Sequence, residues 1–131
     1  MSEENVEIAR EIYRDWEQGD FSSVDWADPD IEFMLGSGAD EAVHRGTEAI
    51  GQAWAEWLRA WDEFRVDAQE FVDLGDDVLV MVEFGGRAKK SGVPIERMLG
   101  GNLLSFRNGK VVRLVTFTDR NDALEAAGLL E

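Results

Sequence analysis

Apolar residues recur every three or four positions at the start of the chain, where Val6, Ala9, Tyr13 and Trp16 share one face of a predicted amphipathic helix. Ser2 stands where a cap is needed, Glu3 and Glu4 suit the positive helix end, and Gly19 stops the helix. Asp20 is expected to start a short helical turn carrying Phe21, Val24 and Trp26, which Asp28-Pro29-Asp30 breaks. Ile31 to Leu35 reads as a short strand, and residues 36–46 as a loop rich in glycine and acid. From Thr47 onward, Ile50, Ala53, Trp54, Trp57, Leu58 and Trp61 give the cleanest helical stripe in the chain.

The period changes to two from Phe64 to Thr118. Val66, Ala68 and Val72 alternate with polar residues up to a turn at Gly75-Asp76-Asp77. Val78 to Phe84 is apolar on both faces, which predicts a central strand. A turn at residues 91–94 leads into a strand from Ile95 to Phe106, and Asn108-Gly109 marks a tight hairpin before a strand from Val111 to Thr118. Gly85-Gly86 and Gly100-Gly101 lie inside strand patterns and are expected to mark bulges or bends. Residues 121–128 form a short closing helix with Gly128 at its C-cap. This order predicts an α+β fold, a curved antiparallel sheet wrapped by helices around one apolar pocket.

Composition narrows the function classes. A length of 131 residues suits a single domain over 1–131. The chain has no cysteine, which removes disulfides, thiolate metal sites and cysteine nucleophiles, and fits a cytoplasmic location. A formal net charge of -15 argues against nucleic acid and anionic membrane as partners, and no segment has the length of apolar residues that a membrane span needs. With one histidine, a metal site is not expected, and no cofactor signature is present. The Gly36-Ser37-Gly38 loop lacks the third glycine and the immediate helix of a dinucleotide site, and Lys89-Lys90 reads as an exposed hairpin end.

The element order resembles the SnoaL-like branch of the NTF2-like superfamily. The resemblance rests on ENVEIAREIYRDWEQGDF at the start, DPDIEF on the first strand, HRGTEAI at the long helix, and FRNGKVVRL followed by TDRNDALEAAGL at the end. It implies a cone-shaped fold with a deep pocket, often in a homodimer. Family members range from polyketide cyclases, ketosteroid isomerases and epoxide hydrolases to non-catalytic binding domains, so the fold leaves the activity open. Carried onto this sequence, the isomerase base position holds Met34 or, one residue on, Leu35, and the isomerase tyrosine position holds Ile12 beside Tyr13. The epoxide hydrolase triad falls on Phe84, Gly86 and Thr116, and the histidine of many SnoaL-like proteins on Asn102.

The remaining polar groups define the candidate chemistry. Glu32, on the family's geometry, points into the cone as a general base; it otherwise sits at the pocket mouth, paired with Arg45 or Arg97. His44 either pairs with Glu32 or is a loop histidine, and Asn102 orients a carbonyl by hydrogen bonding. Asp119 reads as a catalytic acid or as the cap of the last helix. Tyr13, Trp16, Met34, Trp54, Trp57, Val82, Phe84, Met98, Thr116 and Thr118 are the candidate substrate-binding residues. The tryptophans on the long helix read equally as lining and as core.

Two function classes follow. One is a pocket protein for an apolar or aromatic small molecule, with cofactor-free acid/base catalysis as an option. The other is a non-catalytic binding or dimerisation domain. The outer sheet face, with Arg65, Asp67, Gln69, Arg113 and Val115, is mixed in polarity; it allows a homodimer through the sheet face without requiring one.

Overall fold

The computed structural model describes residues 2–20, 25–35, 43–59, 61–89, 94–117 and 119–129. Helix α1 (Ser2–Glu17) is followed by β1 (Ala27–Leu35), β2 (Val43–Arg45) and α2 (Thr47–Arg59). Then come β3 (Trp61–Asp73), β4 (Asp77–Ala88), β5 (Pro94–Arg107), β6 (Lys110–Phe117) and α3 (Arg120–Ala126). The six strands form one sheet in the order β2-β1-β6-β5-β4-β3. The α+β expectation stands, with one difference: β1 runs parallel to β6, whereas every other neighbouring pair is antiparallel.

Three boundaries differ from the sequence reading, and tertiary pairing explains each. Trp61 fits the helical stripe, yet it opens β3 opposite Ala88, because β4 runs on past Phe84 and supplies a partner. β1 begins at Ala27 and takes in Asp28-Pro29-Asp30; its pairing with β6 is irregular between Ala27 and Glu32, where Pro29 has no N–H to give. β2 lies in the stretch read as a loop, three residues being too few to show a period. The helical turn expected at residues 20–26 and the loop at 36–42 fall largely outside the described residues.

Alternation along the strands divides the side chains between two faces. The inner face carries Ile31, Phe33, Val66, Val80, Leu104 and Leu114, which meet Ala9, Ile12, Tyr13 and Trp16 of α1 and Ile50 of α2. The outer face carries Leu79, Met81, Val115 and Phe117, which meet Ala123 of α3. β4 is buried on both faces, Val78 to Val82 being at most 1% exposed, as its continuous apolar run predicts, although it lies next to the edge strand β3 and not at the centre of the sheet. Each such side chain stabilises the fold by roughly 1.5–3 kcal/mol.

Two polar ties fix α1 over β3. Near its start, Asn5 Nδ2 donates to the Gly75 carbonyl at 3.1 Å. At its end, Glu17 Oε2 accepts from the Ala68 amide at 2.9 Å, beside the bulge between Ala68 and Glu70.

The glycine pairs play different parts. β4 bulges between Phe84 and Gly86, as expected. Gly100 and Gly101, by contrast, lie in an unbroken register with β4. Their role is close approach: a Cβ on Gly101 would lie 2.8 Å from the Ala123 Cβ, so α3 rests directly on the strand. Asn108 and Gly109 form the predicted tight turn with φ of 54° and 78°.

Candidate functional site

The inner face carries one deeply buried polar pair. α1 brings Tyr13 down onto the sheet at 1% exposure, and Ile12 beside it is also buried, so the helix presents both to the core. Asn102 lies in the middle of β5, between Val80 of β4 and Thr116 of β6, at 4% exposure. It shares the face of Leu104 and Phe106 because it is separated from them by two and four residues.

Asn102 Nδ2 donates to the Tyr13 hydroxyl. Asn102 Oδ1 is buried and accepts no hydrogen bond among the described residues. An amide oxygen left bare in this way costs about 1–3 kcal/mol, so it marks a place where folding alone gains nothing from the polar atom. Burial pushes the Tyr13 phenol well above its ordinary pKa of 10.0, and the Asn102 hydrogen bond opposes that only in part. The phenol therefore stays protonated at neutral pH.

Aromatic rings pack on the Tyr13 side of the pair. Trp16 meets Tyr13 edge-on at 4.7 Å, and Phe71 meets it from β3 at 5.9 Å. Trp54 of α2 packs on Trp16 at 4.9 Å and stacks on Trp26 at 5.8 Å. Phe33 closes a further side against Trp54 at 6.1 Å. Trp26 and Trp54 are half-buried, so the cluster meets solvent there.

The candidate residues separate along these lines. Tyr13, Trp16, Trp54, Val82, Phe84 and Asn102 lie on the inner side, and Thr116 is the half-buried cross-strand neighbour of Asn102. For Glu32 the inward, general-base reading is corrected and the alternative, a pair with Arg45, is the one found. Ile31 and Phe33 take the inner face, so the period of two turns Glu32 outward, where it pairs with the exposed Arg45. His44 lies opposite Phe33 and tilts against its ring at 6.0 Å, on the other side of the strand from Glu32, so the two form no carboxylate–imidazole pair.

Met34 is also outward: its sulfur sits 3.5 Å from Arg113 Nη2, beside a groove of about 360 Å³ that Asp77, Ser105 and Val115 also line. Asp119 caps α3, its Oδ1 accepting from the Asn121 and Asp122 amides at 2.8 and 3.3 Å. The Trp57 and Met98 side chains and Thr118 lie outside what is described.

Sequence reasoning missed the Tyr13–Asn102 bond, which joins residues 89 positions apart. The available signal was an asparagine in phase with Leu104 and Phe106, a polar residue at a core position. Among the described residues no three His, Cys, Asp or Glu side chains cluster as a metal would require. No described helix is long and apolar enough to cross a membrane.

The model of the SnoaL-like domain matches residues 9–114. No functionally curated protein matches the sequence. Among solved structures, a protein of unknown function with a cystatin-like fold from Xanthomonas campestris is 24% identical with a TM-score of 0.75, over 97% of this chain and 98% of that one. A proposed SnoaL-like polyketide cyclase from Jannaschia sp. is 18% identical at 0.78, over 99% and 94%. TerC, co-crystallised with polyporic acid, is 20% identical at 0.74, over 95% and 98%. At these identities the likeness is one of fold.

Proposed function

The chain belongs to the SnoaL-like domain family, and on that premise we propose that it binds an apolar or aromatic small molecule between the inner sheet face and helices α1 and α2. The observation that carries this reading is Asn102 Oδ1, a buried acceptor without a partner among the described residues, whose amide bonds to a tyrosine packed against an aromatic cluster. Natural cores rarely keep such an atom, and a ligand donor satisfies it. The co-crystallisation of TerC with polyporic acid supports the same use of this fold.

Binding is favoured over acid/base catalysis. With Glu32 facing outward and His44 only half-buried against Phe33, the fully buried polar groups that meet on the inner face are a neutral phenol and an amide, which orient a ligand without exchanging protons at neutral pH. Trp26 and Trp54, half-buried, form the solvent side of the proposed site.

A thermal-shift screen against steroids, polyketide-like aromatics, terpenes and fatty acids tests the reading, with tryptophan fluorescence as the second readout. A ligand at a hundred times its Kd adds about 2.7 kcal/mol to stability. A hit that also quenches the tryptophans supports the site; no shift with any class ends the proposal.

The outer face supports a homodimer as the partner reading. Arg45, Glu32, Arg113, Ser105 and Asp77 form one cross-strand row of mixed charge. Beside it run Val43, Met34 and Leu103, with Val43 50% exposed at the edge and Met34 and Leu103 half-buried, while Val115 and Leu79 of the same row are already buried. An apolar row edged by both charge signs suits a second copy of the same face. Sedimentation of the native protein beside Leu103→Glu checks this, a dimer that becomes a monomer being the expected result.

A further inference from the structure

The inner polar pair specifies more than a pocket, because each of its groups has a defined donor and acceptor state. Asn102 gives one amide hydrogen to the Tyr13 oxygen and keeps Oδ1 bare. As the acceptor in that bond, the Tyr13 hydroxyl retains its own hydrogen for donation. A bound group placed beside both must therefore accept from the phenol and donate to the amide oxygen.

Resting on the proposed binding site, we infer that the ligand carries an uncharged hydroxyl at its buried end, which closes a three-membered ring of hydrogen bonds with Tyr13 and Asn102. In that ring Asn102 Nδ2 donates to the Tyr13 oxygen, the Tyr13 O–H donates to the ligand oxygen, and the ligand O–H donates to Asn102 Oδ1. Each member gives one hydrogen and takes one. The amide turned over would instead donate Nδ2–H to the ligand and take an ether as readily as an alcohol, an outcome that the matched ethers below expose.

The same accounting excludes other polar ends. With Nδ2 facing the phenol, a ketone or an ether accepts from Tyr13 but leaves Oδ1 bare. A carboxylate sets its lone pairs against Oδ1, in a cage that burial has already made hostile to the charged phenolate. Among the described inner residues, no cation stands beside the pair to compensate it. The surrounding rings, Trp16, Phe71 and Trp54, suit a flat or aliphatic body behind the hydroxyl.

The experiment compares matched probes by calorimetry on the purified protein: phenol, naphthol and decanol, each beside its methyl ether, with naphthoate as the anionic control. We expect at least one alcohol or phenol to bind roughly tenfold or more tightly than its ether, since a lost donor strands a buried acceptor, and naphthoate to bind weakest. In Asn102→Leu the preference should collapse to within about twofold while the apolar body still binds. Tyr13→Phe, checked for folding by circular dichroism, should lose the preference in the same way.

Ethers that bind as well as their alcohols overturn the hydroxyl inference and leave the pocket standing; an immobile water held by the pair would give that result. A preference that survives in both variants also overturns it, because the discrimination then lies elsewhere. Absence of binding by every probe removes the pocket itself, and the inference with it.

Discussion

Asn102 and Leu103 are adjacent on β5, yet their surroundings invert the usual arrangement. The amide points inward to a buried aromatic cage, and the leucine points outward to a half-buried groove edged by Arg113 and Asp77. On the inner face nearly every side chain is apolar and the one polar pair is incompletely satisfied. On the outer face charges are common and stay near solvent, as Glu32 does with Arg45. A polar atom at the surface is satisfied by water at little cost. A buried one is kept at a loss of stability, which points to a use beyond folding.

The contrast is broken most severely by truncating its inner side. Leu104→Ala removes a fully buried side chain and should lower unfolding free energy by about 2–5 kcal/mol, whereas Leu103→Ala should cost less than half as much. Urea denaturation of the two variants measures the difference, and equal losses would erase the distinction between faces.

Titration of the inner pair comes next. The folded state holds the Tyr13 proton above the ordinary pKa of 10.0, while the unfolded chain releases it there. The associated stability is complete below pH 10 and is lost as pH rises further, by up to ~1.4 kcal/mol per unit. Tyr13→Phe should flatten that part of the stability profile. Because Tyr13 is the only tyrosine, tyrosinate absorbance should appear on unfolding instead of at the free phenol's pKa.

Smaller effects belong to the outer side. Asp119→Ala removes the cap that holds α3 against Gly101 and should cost about 1 kcal/mol by thermal melting. Glu32→Gln should change stability by less than ~1 kcal/mol, with the difference fading in high salt. A larger, salt-insensitive loss would mean that the Glu32–Arg45 pair is shielded from solvent.

Much of the fold was legible in local pattern. The stripe of Ala9, Tyr13 and Trp16, the doubly apolar run of Val78 to Val82, and Asn108-Gly109 each act over a few residues, and each formed the expected element. Trp61 and β2 were not legible, since a residue that satisfies both periods, or a strand of three, is decided by its partner strand. The candidate site was legible as residue types and less so as an arrangement. Glu32 and Met34 were placed inward on the family's geometry, and their own neighbours Ile31 and Phe33 held the cue to the opposite side.

The sequence by itself determined the class of fold, the positions of its helices and of its doubly buried strand, and the absence of thiol chemistry, because periodicity, turn residues and composition are local or additive properties. Tertiary structure alone decided that Tyr13 would meet Asn102 and that Asp119 would be spent as a cap. It also decided that the Asn102 amide oxygen would be buried with no partner among the described residues. Those outcomes depend on which strand lies beside which and which helix crosses them, and hydrogen bonding between groups 89 residues apart leaves no trace in the spacing of either.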